Sequence, residues 1–98
     1  MKSREDWKRA AEIVRSIIKE WDPYSLLAGG APDDEFQGEI ASIVRQLPRI
    51  RSNKDMILAI STVFSSAFES ERFRPADCAE VGARLFDRLK EASLLVAN

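Results

Sequence analysis

Apolar residues return at steps of three and four along most of the chain. The first series runs Trp7, Ala10, Ala11, Val14, Ile17, Ile18 and Trp21, which a helix gathers on one face. Ser3, with Asp6 three residues on, predicts the start of this helix as a weak capping box. Asp22-Pro23 predicts its stop. A second series, Phe36, Ile40, Ile43, Val44 and Leu47, falls within one narrow arc between Ala31-Pro32 and Pro48. That reading places Asp33, Asp34 and Glu35 in the first turn of the second helix, where the dipole favours negative charge by about 0.3–1 kcal/mol each. Ser52 with Asp55 marks a third start, and from Met56 to Phe68 there is no charged residue, so this helix is predicted to be the most buried. A fourth opens near Pro75 and carries Cys78, Val81, Gly82, Leu85, Phe86, Leu89 and Ala92 on one side. Gly82 in the middle of that stripe predicts the close approach of a neighbouring backbone.

No segment alternates with period two, so strands are not expected. The predicted fold is all-α: a compact bundle of four main helices in one domain, residues 1–98, with short connections. The exception is the Trp-Asp-Pro to Ala-Pro connector, Trp21 to Phe36, with its aromatics, two prolines and the pair Gly29-Gly30. Tyr24, Leu26 and Leu27 predict that it is ordered and packs onto the bundle.

At 98 residues the chain is near the lower end of sizes that bury a self-sufficient core. With 45% apolar and 32% charged residues, it has the profile of a globular rather than a disordered chain. The formal net charge of −1 argues against general nucleic-acid binding, which needs a basic field. No apolar run approaches the roughly 20 residues of a membrane span, and the charged N-terminus lacks the apolar centre of a signal peptide. Cys78 is the single cysteine, so an internal disulfide is impossible and a cytoplasmic setting is expected.

Catalytic chemistry finds little support. There is no histidine, which removes Ser-His-Asp and Cys-His catalysis and most zinc sites. Cys78 falls on an apolar stripe, the position of an inert thiol rather than a nucleophile. Asp33, Asp34 and Glu35 diverge by about 100° per residue on a helix and cannot converge on one ion. Gly29-Gly30 has neither the lysine nor the preceding strand of a phosphate loop. The expectation is a protein that is no enzyme and uses no cofactor and no metal.

Charge along the chain is the more informative signal. From Glu20 to Glu39 there are six acidic residues and no Lys or Arg, and a small basic run, Arg45, Arg49, Arg51 and Lys54, follows. The chain thus reads as an acidic half-surface before residue 40 and a basic one just after. Asp34, Gly38, Ala41 and Arg45 form an outward stripe on the second helix, where an exposed glycine costs about 0.8–1.0 kcal/mol against alanine. Gly38 is either tolerated there or marks where a partner comes close. Leu58, Ser61, Thr62 and Ser65 make an uncharged side of the third helix, expected to be buried under another helix rather than to meet another molecule.

The run Trp21-Asp22-Pro23-Tyr24-x-Leu26-Leu27, then Ala31-Pro32-Asp33-Asp34-Glu35-Phe36 and Glu39-Ile40, resembles a family of small bacterial proteins known as domain of unknown function 1871. The likeness spans most of residues 13–89, including Val63-Phe64 and Asp77-Cys78. Phe36 stands where the family often has Tyr. Small acidic-faced helical proteins of this kind are similar to the immunity proteins encoded beside contact-dependent growth-inhibition toxins, many of them nucleases. That resemblance implies a cytoplasmic immunity protein, monomeric until it meets a cognate toxin with a cationic surface. The partner-binding residues it implies are Asp22, Asp33, Asp34, Glu35, Gly38 and Glu39. The alternative is a housekeeping interaction module or homodimer with no toxin, using the face of the third helix.

Overall fold

Two serines start two of the four helices. In the computed structural model, which describes residues 3–32 and 34–95 and only the backbone of Tyr24, helix α1 spans Arg4–Trp21. The Ser3 hydroxyl accepts the Asp6 N–H at 3.2 Å, satisfying one of the donors a helix start leaves open. Helix α3, Asn53–Ala67, repeats the device with Ser52 and the Asp55 N–H. The Asp55 carboxylate also reaches back to the Arg51 N–H at 3.0 Å. Helix α4 spans Ala79–Glu91, entered through a 3-10 turn over Pro75–Cys78. Asp77 anchors that turn by accepting from the Arg74 N–H at 3.1 Å.

Helix α2 departs from expectation. It spans Gln37–Gln46, with Phe36 at its N-cap. Asp34 and Glu35 lie ahead of it in two overlapping turns, Glu35 N–H to Pro32 O and Gln37 N–H to Asp34 O. Neither Asp34 nor Glu35 is in the first turn as predicted, which holds Glu39 instead; Asp33 lies outside the described residues. Phe36 is 1% exposed, and seating that ring in the core uses the turn ahead of the helix, so dipole compensation no longer explains Asp34 and Glu35.

The four helices close a ring: α1 packs on α2 and α4, and α3 packs on α2 and α4. The described residues contain no strand, and the all-α bundle stands as expected. Val14, Ile17, Ile18, Ile43, Met56, Ile60, Leu85 and Leu89 fill the interior, each stabilising the fold by about 1.5–3 kcal/mol before chain entropy is counted. Gly82 does admit a neighbour: a Cβ there would stand 2.6 Å from Ile57 Cγ1 and 3.2 Å from Ile57 Cα, so α3 and α4 touch at backbone range.

An aromatic cluster ties the connector to α3. Phe64 meets Trp21 edge-on at 5.1 Å, Phe73 at 5.4 Å and Phe36 at 6.1 Å between ring centres. Such pairs add about 0.5–1.5 kcal/mol each beyond burial. Trp21 ends α1 and Phe36 precedes α2, so both ends of the connector are held to one ring.

Candidate functional site

The connector is built around Asp22. Its backbone is left-handed (φ 46°), a conformation Asp tolerates better than most residues, and its N–H caps α1 through Ile18 O. Its carboxylate then accepts the Leu27 N–H at 2.8 Å and the Ala28 N–H at 3.0 Å. Bonds Gly29 N–H to Ser25 O and Ala31 N–H to Leu26 O complete the loop, and Leu26 and Leu27 pack on the core. Asp22 is therefore engaged inside the connector, unlike the acids that follow.

Asp34 and Glu35 are exposed and, among the described residues, make no ion pair. Glu39 is half-buried. Burial pushes its carboxyl above the usual range and the nearby Glu35 charge adds to this, while a bond to its own backbone N–H pulls the other way. Glu20, at the start of the acidic stretch, pairs with Arg84 of α4. Gly38 is exposed, and a Cβ there would meet nothing within 4 Å. Gly38 and Glu39 point about 100° apart around α2, so these residues form an acidic edge rather than a single flat face.

Cys78 is buried in the core. Burial, with the Asp77 charge beside it, pushes its thiol up to about 11, so it stays protonated and unreactive at neutral pH. Among the described residues no group of His, Cys, Asp or Glu is placed to hold a metal ion, and no helix is long and apolar enough to cross a membrane.

The uncharged side of α3 divides in two. Ser61 is buried and donates to Phe73 O, with Ser65 donating to the same carbonyl at 3.2 Å. The segment after α3 reaches them through this carbonyl. Leu58 and Thr62 remain exposed, Leu58 at 43%. They border a shallow hollow of about 240 Å³ with Arg49 and Ile50. Ile50, inside the basic run, is itself core.

One concavity lies where periodicity did not place one. Between α1 and α2 runs an open groove of about 700 Å³. Its floor is Trp7, Ala11, Ile40, Ala41 and Val44. Arg4, Lys8 and Arg15 of α1 and Arg45 of α2 stand along it, with Glu12 as its one carboxylate among the described residues. Trp7 is 37% exposed, so the stripe residue expected in the core sits at its margin. The sequence signal was available: Arg4, Lys8, Ala11 and Arg15 recur at steps of three and four on α1, a flank beside the apolar stripe.

The family described as Domain of unknown function (DUF1871) matches residues 12–94. The chain belongs to this family. The matched span takes in the aromatic cluster, the Asp22-centred connector, the acidic edge and the α2 side of the groove, while Arg4, Trp7, Lys8 and Ala11 precede it. No curated protein and no solved structure matches this DUF1871 chain.

Proposed function

We propose that this DUF1871 protein is a non-enzymatic binding protein of the immunity type, acting in the cytoplasm to block a cognate toxin through its acidic edge. One observation carries the reading. Asp34 and Glu35 are exposed at the end of a rigidly bonded connector and have no cation of their own among the described residues. Carboxylates held this way can steer a cationic surface into contact and occupy the place of substrate phosphates. Glu39 and Gly38 extend the edge along α2. Asp33, the remaining member of the set, lies outside the described residues. An inert Cys78 and a chain without histidine fit a blocker, which needs a scaffold and no chemistry.

The test is growth protection. The reading frames beside this gene are expressed singly in a susceptible host, with and without this protein. The expected result is that one neighbour is toxic alone and neutralised by the wild-type chain. Asp34→Lys with Glu35→Lys, folded to the same melting temperature, should then protect poorly. Absence of any neutralised neighbour overturns the toxin reading; full protection by the double reversal moves the interface elsewhere.

The exposed Leu58 on α3 favours a second reading, an interaction module or homodimer using that face. Sedimentation velocity decides it: a concentration-dependent dimer abolished by Leu58→Glu supports it, and a monomer at all concentrations removes the homodimer form.

A further inference from the structure

We propose that the groove between α1 and α2 is a docking site for an amphipathic helix of a partner protein, with acidic residues flanking its apolar face. The argument starts from shape. The α1 lining runs from Arg4 to Arg15, about 16 Å at 1.5 Å per residue, the length over which a partner helix presents anchors at i, i+3 or i+4 and i+7. Ala11 of α1 and Ala41 of α2 both line the groove. A small residue on each helix leaves space that a core helix pair would ordinarily fill with larger side chains. A helix laid there would cover Trp7, one of two large apolar side chains among the described residues that are exposed.

Charge selects the occupant. Arg4, Lys8 and Arg15 make no ion pair among the described residues, and Arg45 donates only to Ser42 Oγ at 3.1 Å. Four cations without carboxylate partners beside an apolar floor complement acidic flanks on an apolar stripe. Glu12 interrupts the row and calls for a neutral or basic residue at that register. A second copy of the chain does not fit: among the described residues its other exposed large apolar side chain is Leu58, and they offer no exposed apolar stripe. A bilayer or a duplex would meet the cations but could not follow a concave floor. This surface is opposite in sign to the acidic edge and does not rest on the toxin reading.

The test uses a displayed library of helical peptides with apolar residues fixed at i, i+3, i+4 and i+7 and flanking positions randomised. Selection on the intact protein should enrich Asp and Glu at the flanks, with the register opposite Glu12 neutral or basic. Synthetic versions of the winners should bind in a saturable way and weaken as salt rises. Lys8→Glu with Arg45→Glu should weaken them by about tenfold or more, and Ala41→Phe, which fills the floor, should do the same. Circular dichroism melting of each variant confirms that it is folded. Asp34→Lys with Glu35→Lys should leave peptide binding unchanged. The proposal is overturned if selection gives no binder or no acidic bias, or if the winners bind the Lys8/Arg45 variant as well as wild type. It is also overturned if phosphatidylglycerol vesicles or duplex DNA displace them at lower concentration.

Discussion

At the scale of single residues, three positions carry opposite costs. The Asp22 carboxylate accepts two hydrogen bonds from backbone N–H groups, and bonds to a charged group contribute about 1.5–3 kcal/mol each. Asp22→Ala should therefore cost at least about 2 kcal/mol and lower the melting temperature by about 8 °C or more. Asn retains one acceptor and should lose less. Gly82→Ala should destabilise by about 1–3 kcal/mol, since the added methyl meets Ile57. Glu39 works the other way. Its carboxyl is raised mainly by burial and then by the Glu35 charge, so the folded state holds that proton more tightly than the unfolded chain. Its ionisation costs stability above its folded value, and the cost disappears as pH falls below the ordinary 4.5. Glu39→Gln should thus raise the melting temperature at pH 7, with the difference vanishing in acid; equal shifts at both pH values would refute the assignment. The importance of Asp22 was visible in Trp-Asp-Pro, but its hydrogen-bond partners five and six residues on were not, because only the folded loop brings them to it.

At the scale of elements, α2 is the instructive case. Its existence and apolar arc were legible, while its start was read too early. The pattern of acids after a proline fits a first turn, yet the Phe36 ring is drawn to Phe64 and the chain takes two turns before the helix begins. Gly38 then falls one residue inside α2, facing open space. Gly38→Ala should stabilise the isolated protein by about 0.8–1.0 kcal/mol, read as a rise in the thermal midpoint. If the same change weakens partner binding, the glycine is there for close approach; if binding is unaltered, it is merely tolerated. The polar side of α3 likewise divided, since Ser61 and Ser65 share the Phe73 carbonyl, a bond between residues 12 and 8 apart that no local period encodes.

At the scale of the whole molecule, two charged surfaces make separable predictions. Reversal at Asp34 and Glu35 should impair toxin protection and leave the groove's peptide binding intact; reversal at Lys8 and Arg45 should do the converse, and one set of folded variants measured for both separates them. The polarity expected along the chain, acidic before residue 40 and basic after, is rearranged by the fold. Arg4, Lys8 and Arg15 precede the acidic stretch, yet α1 lies against α2 and joins them to Arg45 along one groove. Glu20 is taken from the acidic surface by Arg84, 64 residues away. What the sequence alone determined was the local physics: four helices from the three-and-four spacing, two serine caps, a proline-bounded connector, a close approach at Gly82 and a buried Cys78. Each depends on residues within about one or two helical turns. The groove, the margin position of Trp7, the pairing of Glu20 and the partition of α3 were decided only by tertiary packing. They depend on which flank of one helix meets which flank of another, and the hydrophobic stripe that drives packing leaves that choice of flank to the assembled bundle.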